Sequence, residues 1–71
     1  MFTNKLSPLR VCRMFQGKSI HIVGARAKID PSRLSLLERN IVQPSADEKR
    51  RLARVLRARV KDLFPREVSN A

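Results

Sequence analysis

The sequence predicts an all-α fold, a compact bundle of four to five short helices. Three observations support this prediction. Apolar residues recur at three- and four-residue spacings, whereas valine, isoleucine and threonine never alternate with polar residues over a strand's length. Helix start signals, a serine or an aspartate before a first turn, recur along the chain. The 71 residues, 42% of them hydrophobic, are enough for one small core and one domain.

The first two helices are marked by their caps. Ser7 is an N-cap and Pro8 the first helical residue, and Gly17 ends the helix because glycine tolerates a positive φ. Ser19 caps a second helix over about residues 20–27. The apolar residues of helix one that we expect to face the core are Leu9, Val11, Cys12 and Phe15.

A third helix is predicted over about residues 31–39. Asp30 is its N-cap, Pro31 is its first residue, and Asn40 follows it as a residue that tolerates the left-handed conformation. The side chains that this helix turns inward are Leu34 and Leu37.

The last two helices have equally local signals. Ser45 and Glu48 form the capping box of a fourth helix, which runs to about Leu56. Pro65 stops a short fifth helix, whose apolar residues are Val60, Leu63 and Phe64.

The helical signals also divide the chain. We expect a flexible N-terminal arm at residues 1–5, one domain at residues 6–65 and a C-terminal tail at residues 66–71.

The charge indicates a polyanionic partner. Sixteen basic residues against six acidic ones give a net charge of +10, which favours DNA, RNA or an acidic membrane surface. The first 29 residues contain no acid, which is also typical of a mitochondrial transit peptide, but they continue the helical pattern. No apolar run approaches the ~18 residues of a membrane span. Pro8, Pro31 and Pro44 interrupt any long amphipathic helix that could lie on a membrane.

The residue types needed for catalysis or metal binding are scarce. A catalytic thiol at Cys12 would need a base, and His21 is the only histidine. No cysteine or carboxylate stands at ligand spacing from His21. One cysteine also cannot form an internal disulfide, which argues against a small secreted protein. We therefore expect no enzyme, no metal, no cofactor and an intracellular setting.

Residues 19–40 have the spacing of a helix-turn-helix. A helix of about eight residues, a tight turn and a second short helix follow one another. Small residues, Gly24 and Ala27, stand where the two helices would cross. This motif places its second helix, the recognition helix, in the major groove of DNA.

An ordered set of segments makes the resemblance more specific. The segments are Leu34-Ser35-Leu36-Leu37-Glu38-Arg39-Asn40, Gln43-Pro44-Ser45, Leu52-Ala53-Arg54-Val55-Leu56 and Leu63-Phe64-Pro65. Over about residues 6–65 the chain resembles the Xre/Cro-like family of bacterial and phage regulators, with the lambda-repressor-like fold. The resemblance implies a cytoplasmic, bacterial or phage-encoded regulator that binds specific double-stranded DNA, as a repressor or an antitoxin. It also implies a homodimer, at least on DNA.

The resemblance assigns roles to residues by position. Those that would read bases are Ser32, Arg33 and Leu36. Those that would contact phosphate are Lys18, Ser19, His21, Arg39 and Gln43. Arg13 and Glu38 match a pair that forms a buried salt bridge in many family members. For Leu36 the alternative is a core position beside Leu37.

The chain also departs from the family pattern. Ile20 and Ile22 stand where polar residues are usual, and they would either contact a protein partner, as the tail also could, or pack against the arm. Lys28, Asn40 and Arg57 replace frequent glycines, which predicts positive φ at a cost of roughly 1 kcal/mol each for Lys28 and Arg57. These departures leave an alternative open, a helix-turn-helix-derived protein-interaction module or a nonspecific nucleic-acid binder.

Overall fold

A computed structural model of the chain describes residues 7–65, which form five α-helices and no strand. The helices are α1 (Pro8–Phe15), α2 (Ile20–Ala27), α3 (Pro31–Glu38), α4 (Ala46–Leu56) and α5 (Val60–Leu63). The predicted all-α bundle of short helices is therefore confirmed. The predicted arm at residues 1–5 and tail at residues 66–71 lie outside the described residues.

Local side-chain caps begin four of these helices. The predicted caps of α1 to α4 each accept a backbone hydrogen bond from the first turn, and they are Ser7, Ser19, Asp30 and Ser45. At α4 the capping box is reciprocal. Ser45 Oγ accepts from the Glu48 N–H at 3.1 Å, and the Ser45 N–H donates to Glu48 Oε1 at 2.9 Å. These bonds satisfy backbone donors that a helix start otherwise leaves unpaired.

Within one or two residues of their last helical residue, three helices are followed by a residue other than glycine in the left-handed conformation. The φ angles are 58° at Lys28, 61° at Asn40 and 53° at Arg57. All three positions were predicted from the missing glycines. Gly17, which follows α1, has a φ of 69° as expected.

The core lies between α2, α3 and α4. Val23, Leu34 and Leu52 are fully buried, and Leu9 from α1 and Leu63 from α5, two helices that contact each other, complete the core. Full burial of such a side chain contributes about 1.5–3 kcal/mol. The remaining buried apolar residues are Ala27, Ile29, Leu37, Ala53, Leu56 and Phe64.

The outer face of α1 is apolar. Phe15 is 91% exposed, and Val11 and Met14 are about half exposed, whereas Leu9 is buried and Cys12 packs partly against the core. The expectation that Val11 and Phe15 face the core is therefore wrong. Residues on a helix are 100° apart, so Val11 lies about 200° from Leu9. Because apolar residues surround most of this short helix, the pattern alone does not indicate which side is buried.

The turn between α2 and α3 is tight because Gly24 has no side chain. A Cβ at Gly24 would lie 2.7 Å from the carbonyl oxygen of Ile29. The Ile29 N–H donates to the Gly24 carbonyl at 2.9 Å, which closes the end of α2. The expected small residues at the helix crossing are thus present, and they fix how closely α3 follows α2.

Side chains from distant segments satisfy the C-terminal carbonyls of α2 and α4. Gln16 Nε2 donates to the last carbonyl of α4 at 2.7 Å, and Lys18 Nζ donates to the one before it at 3.2 Å. Arg51 Nη1 donates to the last carbonyl of α2 at 2.9 Å and to that of Lys28 at 3.1 Å. Helix ends have free acceptors and a partial negative charge, which makes cationic donors favourable there.

Candidate nucleic-acid interface

The helix-turn-helix consists of α2, the turn at residues 28–30 and α3. Leu34 and Leu37 turn one side of α3 into the core. The other side of α3, which includes exposed residues of its first turn, faces solvent. A recognition helix contacts base edges mainly with residues of its N-terminal part.

Of the three predicted base-reading residues, two are exposed. Ser32 and Arg33 are exposed, and Leu36 is half-buried. The Ser32 N–H is already bound to Asp30 Oδ2 at 2.9 Å as part of the helix cap. Leu36 lies between its two predicted positions, because it is neither in the core beside Leu37 nor fully exposed.

Arg33 is held by an ion pair with Glu48 that the spacing of residues in the sequence does not predict. Its Nε donates to Glu48 Oε2 at 2.7 Å, and its Nη2 donates to Glu48 Oε1 at 2.9 Å. A longer bond of 3.4 Å joins Nη2 to the carbonyl of Gln43. The acidic side chain of Glu48 is the feature of the sequence that could have indicated this ion pair. The capping box, however, already accounts for an acidic residue at that position.

The Arg33–Glu48 pair shifts the pKa of both side chains. The hydrogen bonds from Arg33 lower the pKa of Glu48 from 4.5 to about 2, although burial opposes this change. The Ser45 N–H also lowers the pKa of Glu48. The hydrogen bonds to Glu48 raise the pKa of Arg33. At neutral pH the two groups therefore form a fully ionised pair.

The predicted phosphate contacts fall into two groups. Those with exposed side chains are Ser19, His21, Arg39 and Gln43. Ser19 also caps α2, where its Oγ accepts from the Ile22 N–H at 3.1 Å. Lys18 is different, because it is half-buried and its ammonium is bound to the end of α4. Its side chain therefore stabilises the fold instead of facing solvent.

The expected ion pair between Arg13 and Glu38 is present. Arg13 Nε donates to Glu38 Oε2 at 2.6 Å, and Nη2 donates to Oε1 at 3.1 Å. The side chains are 13% and 4% exposed. Arg13 Nη1 also donates to the Lys18 carbonyl at 2.9 Å. The pair joins α1 to the C-terminal end of α3, and removing one partner of such a buried pair typically costs about 3–5 kcal/mol.

The two isoleucines of α2 have different environments. Ile20 is partly buried and packs against the core. Ile22 is about half exposed. Of the two isoleucines, Ile22 thus offers more apolar surface, and the arm and the tail lie outside the described residues.

Exposed basic residues lie on the helix-turn-helix, directly after it and on α4. Those of the first group are Arg26, Lys28 and Arg39, and those of α4 and its C-terminal end are Arg50, Arg54 and Arg57. Arg50 lies 3.7 Å from Asp47, which offsets part of its charge. The part of the chain between residues 7 and 65 has no group of three or more possible His, Cys, Asp or Glu metal ligands. Over the same residues, every helix is too short or too polar to cross a membrane.

No protein-family model matches the chain. No curated protein and no solved structure matches it either. The features that bear on function are therefore the helix-turn-helix geometry, the residues exposed on α3 and the positive charge around them.

Proposed function

We propose that the protein is a sequence-specific regulator of transcription that binds double-stranded DNA through α3 in the major groove. The observation that carries this proposal is the arrangement of α3. Leu34 and Leu37 pack one side of α3 into the core, while Ser32 and Arg33 in its first turn are exposed. The resemblance to the Xre/Cro-like family supports the same role, as a small repressor or an antitoxin.

The exposed residues around α3 suit backbone contacts. The N-terminus of α2 has free N–H groups and a positive partial charge, and both favour phosphate. Ser19 and His21 lie at that end, and Arg39 and Gln43 follow α3. In this proposal they position the protein, while Ser32 and Arg33 read base edges. Leu36 contributes apolar contact, for example with a thymine methyl group.

The size of the molecule fits a dimer on DNA. The described residues extend 30 × 29 × 20 Å. Two copies of this width can lie side by side on half-sites that are ~34 Å, one turn of DNA, apart. We therefore include a homodimer on a palindromic site, in the cytoplasm of a bacterium or as a phage product, in the proposal.

A second candidate is a protein-interaction module built on the same fold. The exposed apolar residues of α1 favour it, because soluble monomers rarely keep a large contiguous apolar surface. A nonspecific nucleic-acid binder is the remaining alternative, since a net charge of +10 attracts any polyanion.

Selection of the full-length chain on a random duplex library distinguishes these functions. A regulator should enrich a motif, palindromic if it binds as a dimer, and should keep its preference over random DNA as salt rises. Binding with a steep salt dependence but no motif would indicate a nonspecific binder. Absence of binding would leave the protein-interaction module.

A pair of charge variants provides the matched control. Arg39→Ala should weaken binding to all sequences equally and reduce the slope of log affinity against log salt by about one. Arg54→Ala removes the same charge from the exposed side of α4 and should change the slope less. Equal effects of the two variants would argue against a defined DNA-binding face.

A further inference from the structure

The contact with Glu48 uses one edge of the Arg33 guanidinium and leaves another open. A guanidinium has five N–H donors in a fixed plane. The Nε–H and one Nη2–H are bound to Glu48. The second Nη2–H has only the 3.4 Å contact with the Gln43 carbonyl. Nη1 donates no hydrogen bond to any residue between 7 and 65, so the Nη1/Nη2 edge can take a second planar acceptor.

Glu48 is itself held rigidly. Its Oε1 accepts from the Ser45 N–H at 2.9 Å, and its side chain is only 11% exposed, whereas that of Arg33 is 43% exposed. A fixed carboxylate therefore orients an arginine that still reaches solvent. Ordering this side chain before binding removes an entropy cost that a free arginine would meet on binding.

The open edge fits two kinds of bidentate acceptor, the N7 and O6 atoms of guanine or two oxygens of a phosphate. The net charge of the Arg33–Glu48 pair distinguishes between these two acceptors. Glu48 neutralises Arg33, so the pair has little net attraction for a phosphate, and its carboxylate repels one. The guanine edge is uncharged and meets no such repulsion, while the directional hydrogen bonds of the guanidinium are retained.

We propose that Arg33 reads a guanine with its Nη1/Nη2 edge and that Glu48 is the positioning residue for this contact. The inference rests on the proposed DNA-binding function and adds to it one base of the recognition site and a residue outside α3. The opposite role for Glu48 would be to sequester Arg33 from DNA. The two roles predict opposite effects of removing the Glu48 charge.

The experiment uses the full-length chain and the duplex that selection yields. Each guanine is replaced in turn by 7-deazaguanine, which lacks the N7 acceptor. We expect one guanine in each half-site at which this change weakens binding on the order of 10-fold or more. Arg33→Ala should abolish the sensitivity at that guanine, and the double variant Arg33→Ala/Glu48→Gln, which leaves no unpaired charge, should do so with the salt slope unchanged.

Glu48→Gln tests the positioning role. It should reduce discrimination between that guanine and adenine several-fold. It should also strengthen binding to random duplex and steepen the salt slope by about one, because Arg33 becomes an uncompensated charge. Ser45→Ala is the matched control, since it weakens the same cap but keeps the Arg33–Glu48 pair, and it should leave discrimination unchanged. Circular dichroism checks that each variant is folded.

If Glu48→Gln does not fold, Arg33→Lys replaces it, because lysine keeps the charge but cannot bind two acceptors in one plane. It should lose the guanine preference and keep the salt slope. Three outcomes would overturn the inference while DNA recognition stands: a motif without an Arg33-dependent guanine, sharper discrimination in Glu48→Gln, or a uniform loss in Arg33→Ala/Glu48→Gln with a salt slope reduced by about one. Failure to select any motif would overturn the proposed function together with this inference.

Discussion

Lys28 and Arg57 end α2 and α4 in a conformation that most residues avoid. Their φ angles of 58° and 53° bring Cβ close to the following carbonyl oxygen, which costs roughly 1–2 kcal/mol. Both side chains are exposed, so no burial of the side chain compensates for this cost. The strain belongs to single residues and can be removed one at a time.

Replacing Lys28 with glycine should stabilise the protein. The free energy of unfolding should rise by about 0.5–1 kcal/mol, since part of the relieved strain is offset by the greater freedom of glycine in the unfolded chain. Thermal unfolding should show an increase of a few degrees in Tm. Arg26→Gly, inside the exposed side of α2, is the control and should lower Tm. A lower Tm for Lys28→Gly would contradict the strain argument.

At the residue scale the sequence predicts the caps well, because each depends on neighbours within a few positions, whereas the left-handed Lys28 and Arg57 were expected from the family resemblance. Ser7, Ser19, Asp30 and Ser45 illustrate this point. The Arg33–Glu48 pair joins residues 15 positions apart on different helices. Its formation depends on how α3 meets α4, and no local spacing encodes that geometry. The Arg13–Glu38 pair, 25 positions apart, was anticipated only through the family resemblance.

At the scale of the helices, the main feature is the close contact between α2 and α3. Gly24 lets the turn pass so close that any side chain there would meet the Ile29 carbonyl, a backbone atom that cannot rotate away. The spacing between these helices therefore depends on one missing methyl group. Sequence pattern indicated small residues at the crossing, but it could not give the distance that makes glycine necessary.

Gly24→Ala should destabilise the protein by about 1–3 kcal/mol, even though alanine is the better helix former. The added Cβ can be accommodated only if the turn moves. Urea unfolding followed by circular dichroism measures the change. Ala25→Gly, at an exposed neighbouring position, reports the helix propensity difference without the steric clash. A more stable Gly24→Ala variant would show that the turn relaxes freely.

For α1 the sequence predicts the helix but not its orientation. Leu9 is buried, while Phe15 is almost fully exposed. In an eight-residue helix with apolar residues on most sides, several rotations about the axis bury similar area. The choice depends on the surface that α5 and the connecting segments offer, so it is decided only in the assembled fold.

Over the whole molecule, positive charge far exceeds negative charge. The chain has six acidic and sixteen basic residues. Glu48 is one of the few acidic residues that are buried. Its pKa is about 2, below the ordinary 4.5, because Arg33 and the Ser45 N–H bind the ionised form. The folded protein therefore holds this proton less tightly than the unfolded chain does, and ionised Glu48 contributes stability above about pH 5.

Stability should fall as the pH decreases from about 5 to about 2, because protonation breaks the Arg33–Glu48 pair and increases self-repulsion. Urea midpoints measured across this range check the prediction. Glu48→Gln should be less stable near neutral pH and should have a flatter pH profile. Ser45→Ala has no titrating group at the changed position, so it should shift the whole profile with little change in slope. An unchanged profile for Glu48→Gln would assign the acid sensitivity to other carboxylates.

The side chains that satisfy the ends of α2 and α4 also bear on how α3 is held. Gln16 and Lys18 reach the end of α4, and Arg51 of α4 reaches the end of α2. Fraying at either end therefore breaks a tertiary contact as well as a helical turn. These bonds therefore couple α2 and α4, which also pack against each other, and α3 packs against α2. The angle at which α3 would meet a duplex is thus set partly by bonds that no nucleotide needs to touch.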